Sequence, residues 1–163
     1  MVALGLSGCG FRPLYAPGAM ANGREISEEL AAVRVAYIGE RTGQYMRRAL
    51  QQRLEDSRPG TPARFELRCG LNIGSDLQGY RQDGLISRIR LTATSDFTVV
   101  RMAPPQEVVM RGAVQRFDAF NIPENQFFAA DISRDSSMGR LVDGLVEDMV
   151  RRMVLEFRRL GEA

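Results

Sequence analysis

Hydrophobic and polar positions alternate with two different periods along this chain, and the points where the period changes mark its elements. Ala32-Val33-Arg34-Val35-Ala36-Tyr37-Ile38 is β-branched and alternating, which predicts a short strand that Gly39 ends. Met46, Ala49, Leu50 and Leu54 then recur at steps of three and four, with Arg47, Arg48, Gln51 and Glu55 between them. That spacing predicts an amphipathic helix of about three turns. Arg58-Pro59-Gly60-Thr61-Pro62 stops it.

A period of two governs the middle of the chain. Phe65, Leu67, Cys69, Leu71 and Ile73 share one face, and Glu66, Arg68, Gly70, Asn72 and Gly74 the other. A second alternation puts Ile89, Leu91, Ala93, Ser95, Phe97 and Val99 opposite Arg88, Arg90, Thr92, Thr94, Asp96 and Thr98. Ala103-Pro104-Pro105-Gln106 is a turn, and Val108, Met110, Gly112 and Val114 open a third strand running toward Phe117. The final stripe, Met138, Leu141, Leu145, Met149, Met153, Phe157 and Leu160, is widened by Val142, Val146, Val150 and Val154. Asp131 and Asp135 at its start and Arg158 and Arg159 at its end suit a helix dipole. The order βαβββα predicts an α+β domain, two helices packed on one face of a four-stranded mixed sheet. A helix joining the first two strands makes them parallel through a right-handed crossover. The opposite face, with its Arg and Thr residues, reads as solvated.

Charge and composition narrow the chemistry. The formal net charge is +2, and the 22 basic residues are all Arg, so a broad basic face for nucleic acid is not expected. No apolar run approaches the ~18 residues that span a bilayer. His is absent, which removes the commonest general base and the commonest zinc ligand. Neither a phosphate-binding Gly-rich loop nor a nucleophile elbow is present, so no cofactor, metal or catalytic residue is predicted.

The N-terminal segment carries a different signal. Leu6-Ser7-Gly8-Cys9 looks like a bacterial lipobox, in which Cys9 would carry a diacylglycerol thioether and an N-acyl chain. Several acyl chains make anchoring stable, at roughly 0.8 kcal/mol per buried methylene. Only Met1-Val2-Ala3-Leu4-Gly5 precede it, without a basic residue, so residues 1–8 read as a truncated signal and lipobox segment. Residues 9–31, with Pro13, Pro17, Gly18, Asn22 and Gly23, read as a lipid-anchored tether, and residues 32–163 as the single folded domain. Cys69, the second cysteine, is then a small hydrophobe on the apolar face of its strand.

Taken together, Gly8-Cys9-Gly10-Phe11-Arg12-Pro13-Leu14-Tyr15, the βαβββα order and the charged C-terminal helix resemble the LptE family of lipopolysaccharide-assembly lipoproteins. The resemblance implies a protein that is not an enzyme, held to the periplasmic face of the outer membrane by its acyl chains. It implies a partner, the β-barrel LptD, which the lipoprotein plugs and helps to assemble, and a ligand, lipopolysaccharide, delivered to the outer leaflet. Gly10 after the lipid-bearing cysteine fits outer-membrane sorting. Family members place an aromatic-Arg pair before Asn/Asp-Gly in the loop after the second strand, matched here by Tyr80-Arg81-Gln82-Asp83-Gly84. The resemblance makes Arg81 a lipopolysaccharide-binding residue, its guanidinium held out from the sheet edge for a lipid A phosphate; a solvated loop Arg is the other reading. A second basic residue belongs in the loop before the last helix, and Arg134 is the candidate. Two alternatives stay open: an unrelated small envelope lipoprotein serving as scaffold or assembly accessory, and a periplasmic enzyme.

Overall fold

One strand organises the molecule. In the computed structural model, which describes residues 20–21, 24–124 and 126–162, a 16-residue strand runs from Ile86 to Arg101 with partners along both sides. In chain order the elements are β1 (Met20–Ala21), β2 (Arg24–Glu25), α1 (Ile26–Ala31), β3 (Val33–Val35), α2 (Arg41–Arg53), a 3-10 turn (Glu55–Ser57), β4 (Phe65–Cys69), β5 (Asn72–Tyr80), β6 (Ile86–Arg101), β7 (Val108–Asn121) and α3 (Phe127–Glu162).

The sheet has five strands where the sequence pattern predicts four, and the difference is small in kind. β4 and β5 lie end to end along the same side of β6, antiparallel to it, with Cys69 opposite Phe97 and Asn72 opposite Thr94. One register therefore passes through Gly70 and Leu71, where the amide of Gly70 still donates to the carbonyl of Asp96. The predicted second strand is correct in phase and extends to Tyr80. β3 pairs in parallel with β4, as a crossover through α2 requires, and β7 lies antiparallel on the other side of β6.

Alternation along β6 decides what is buried. Leu91, Ala93, Ser95, Phe97 and Val99 face the helices and are buried, together with Met110, Val114 and Phe120 of β7. Met46, Leu50 and Leu54 from the α2 region and Leu141, Leu145, Met149, Met153 and Phe157 of α3 complete one cluster. The rings of Phe65 and Phe157 meet at 5.3 Å between centroids. Cys69 packs against this cluster, and burial pushes its thiol up to about 11, so at neutral pH it stays protonated.

Two boundaries differ from expectation. Residues 26–31, assigned to the tether, form α1, with Ile26, Leu30 and Ala31 buried and Glu29 accepting a hydrogen bond from Arg64 Nη1 at 3.1 Å. Six residues make fewer than two helical turns, too few to show a period. The last helix begins at Phe127, ahead of the Asp131 that marked its expected start. Cys9 and the lipobox lie outside the described residues.

The apolar alternation of β7 breaks after Val114, where Arg116 and Asp118 take the positions facing α3 at its solvent-exposed margin. Arg116 forks onto Asp148 of α3 (Nε to Oδ2 2.6 Å, Nη2 to Oδ1 2.8 Å), and Arg140 of α3 donates to Asp118 at 2.7 Å. The hydrogen bonds from Arg116 hold the Asp148 carboxyl below its ordinary value. A carboxylate lowered in the folded state stabilises above its unfolded value of about 3.9, and that contribution is lost as pH falls further, through the folded value. Asp148→Asn is therefore expected to flatten the acid side of the stability profile below about pH 4. Urea midpoints across that range measure it, and an acid limb as steep as wild type would remove the pair from the account.

A candidate ligand-binding site at the hairpin tip

The β5–β6 connection is a tight turn built by its own residues. The amide of Gly84 donates to the Arg81 carbonyl at 2.9 Å, and the amide of Arg81 to the Leu85 carbonyl at 2.8 Å. Gly84 has φ +82°, a left-handed conformation that side-chain-bearing residues rarely adopt, which is why Asp-Gly suits the position. Asp83 closes the loop: its Oδ1 accepts the Leu85 amide at 3.0 Å. That bond is the main cause of a carboxyl held below its ordinary value, and the charge of Arg81 adds to it.

Arg81 does not stand out from the sheet edge. Its Nε lies 3.4 Å from Asp83 Oδ2, its side chain is 24% exposed, and Nη1 is buried without a protein hydrogen-bond partner. The carboxylate two residues on draws the guanidinium down against the turn. Around it the tip is apolar and open, with Tyr80 64% and Leu85 57% exposed, and Leu77 half exposed just below. Close to the tip the pairing slips between Leu77 and Tyr80, where Gly79 sits so near Ser87 that a Cβ would come within 2.8 Å of its Oγ.

Arg134 lies within α3 and not in a loop before it, because α3 starts seven residues earlier in the chain, at Phe127. Its side chain is exposed, and no hydrogen bond or ion pair joins it to Arg81. At the end of the sheet that carries the turn, Arg88 pairs with Asn121, the Ile122 amide donates to the Ser87 carbonyl at 2.8 Å, and Ile132 and Ser133 of α3 lie beside Asn121. Two more apolar side chains stand open near the start of α3, Phe128 at 87% and Ile132 at 68% exposure. A sequence signal for them exists. Ile132 precedes Leu141 by nine positions, about half a turn out of phase with the core stripe at 100° per residue.

A long helix and two shorter ones packed over one face of a mixed sheet define an α+β domain whose fold is already solved in bacterial lipoproteins. One, a protein described as a lipoprotein from Caulobacter crescentus CB15, superimposes with TM-score 0.62 at 16% identity, over 81% of this chain and 95% of that one. Rare lipoprotein B from Shewanella oneidensis gives 0.55 at 10% identity, over 76% and 93%. At such identities these two share the fold. No curated protein sequence matches significantly. The LptE lipopolysaccharide-assembly family model matches residues 30–154, and the chain belongs to that family. Its place is in lipopolysaccharide assembly.

Proposed function

We propose that this protein is a lipid-anchored assembly factor of the outer membrane that seats in an LptD-type β-barrel, assists its assembly and engages lipopolysaccharide through the β5–β6 tip. The role is one of binding and assembly, with no chemical step. What carries the reading at residue level is the tip itself: one guanidinium among exposed Leu77, Tyr80 and Leu85. Lipid A is an anionic amphiphile, and such a ligand needs a charge-assisted donor beside an apolar surface. Arg81 Nη1 has no protein partner, so a phosphate that draws the guanidinium from Asp83 meets a donor the closed turn leaves unsatisfied.

A charge-assisted contact contributes roughly 1.5–3 kcal/mol, and about 1.4 kcal/mol is tenfold in affinity. Arg81→Asp is therefore expected to weaken lipopolysaccharide binding tenfold or more, and Arg81→Lys by less, since charge stays while the fork is lost. Barrel co-purification in the same variants should hold, because a contact spread over a large surface survives one substitution. Equal lipopolysaccharide affinity in wild type and Arg81→Asp would return Arg81 to a solvated turn. Arg134→Asp in parallel tests the second candidate.

The anchor has its own test. Cys9→Ala is expected to release the protein from membranes into the soluble periplasmic fraction without changing its thermal midpoint. Recovery of unmodified residues 1–8 on protein from native membranes would remove the lipid from the reading.

A further inference from the structure

β7 is an edge strand: it pairs with β6 on one side, and among the described residues no backbone hydrogen bond reaches the other. Native sheets protect such edges with proline, charge, a bulge or a covering element. The β7 bulge sits at Val109, where the register steps from Val99/Met110 to Val100/Val108. From Met110 to Gln115 the strand is regular, holds no proline and has one charged residue. Beside this stretch, between the free edge and α3, runs a groove in two adjoining sections of about 180 and 330 Å³ that share Arg152 and Leu155. Phe97, Met110 and Val114 form its floor, and Leu155, half exposed, its helix side.

The rim is positive. Among the described residues neither Arg111, which alternates with Met110 onto the face away from α3, nor Arg152 makes an ion pair, although the charge of Arg152 helps to lower the Asp148 carboxyl. The acids beside them are already engaged, Asp148 by Arg116 and Arg151 and Glu156 by Arg159.

We propose that this edge docks an extended acidic segment of a protein partner, which adds as a strand beside Met110–Gln115, seats its apolar side chains in the groove and sets a carboxylate beside Arg111 on the opposite face. Strand addition of this kind takes affinity from main-chain hydrogen bonds and specificity from alternate side chains seated in pockets. A row of free amides and carbonyls calls for a backbone; an acyl chain has neither donors nor acceptors to offer it. The Arg111 guanidinium selects carboxylate over ammonium on the incoming strand, and Arg152 adds positive charge at the helix side of the groove. The site goes beyond the hairpin reading: it uses none of the tip residues and does not depend on lipopolysaccharide.

The test is a titration of the full chain, isotope-labelled for NMR, with an acetylated octapeptide alternating Val and Glu. The expected result is saturable binding with slowed amide exchange within Met110–Gln115, at least tenfold weaker binding to the Arg111→Glu/Arg152→Glu variant, and no binding of the Val/Lys counterpart. Methylating alternate peptide nitrogens should abolish it. The milder Arg111→Gln/Arg152→Gln pair carries the test if the reversal unfolds the chain. Absence of saturable binding, indifference to either Arg pair, or indifference to N-methylation would overturn the proposal. So would dodecyl phosphate binding there with the same arginine dependence while the peptide does not, or edge protection that rises with protein concentration alone, which would indicate a second copy. Lipopolysaccharide affinity measured on the same Arg111/Arg152 variants should stay at the wild-type value, which separates this site from the tip.

Discussion

Leu145→Ala is expected to lower the unfolding free energy by about 2–5 kcal/mol, the range for truncating a fully buried leucine. Leu145 is wholly inaccessible at the centre of α3, within the cluster that joins both long helices to the sheet. Val142, Val146 and Met149 around it are equally buried, so the helix surface offers little room to collapse into the void. The cost includes both the lost burial of three side-chain carbons and the residual cavity. Urea unfolding monitored by circular dichroism measures the effect as a shifted midpoint with an unchanged slope. A wild-type midpoint would mean that this stripe meets solvent or a partner and not the sheet.

The second large effect comes from adding atoms. Gly112 lies opposite Phe97, and a Cβ built on it would sit 2.6 Å from the ring's Cζ and 2.7 Å from its Cε1. Phe97 is itself 3% exposed and packed in the core cluster, so its ring must shift out of its place there to clear a new side chain. Gly112→Val is therefore expected to destabilise by about 1–3 kcal/mol through overpacking. Phe97→Leu should recover part of this in the double variant, because the two sites share one clash and their effects cannot add. Unfolding midpoints of the four proteins in the cycle decide it; strict additivity would show that the clash is relieved elsewhere.

Much of this fold is legible in the sequence because β6 and α3 each repeat one period long enough to declare a buried face. Leu91 to Val99 and Leu141 to Phe157 are buried as their spacing requires. What escapes is held by partners distant in the chain. Arg116 and Asp118 break the alternation of β7, and their partners Asp148 and Arg140 arrive from α3 at the exposed margin between strand and helix. α1 has too few residues to show a period, and its buried Glu29 is explained by Arg64, a residue of the loop before β4. At the tip, the Asp-Gly turn is readable from residue types, but the direction of Arg81 is not. That direction follows from the pull of Asp83, a matter of turn geometry. The groove beside β7 leaves no linear trace at all, since Met110 and Arg152 meet only when α3 folds back over the strand.

The pairing that runs along both sides of β6 has a mechanical meaning. Val33, where the chain enters the sheet, lies beside Phe65 and hence beside Arg101, while the turn carrying Arg81 begins past Ile86. Sixteen strand residues at about 3.3 Å each place these two points roughly 50 Å apart. A pleated ribbon bonded on both sides barely stretches, so the protein behaves as a fixed-length strut: whatever holds the chain at one end and whatever is gripped at the other are kept at a set separation, and a pull on either is delivered to the other almost without slack.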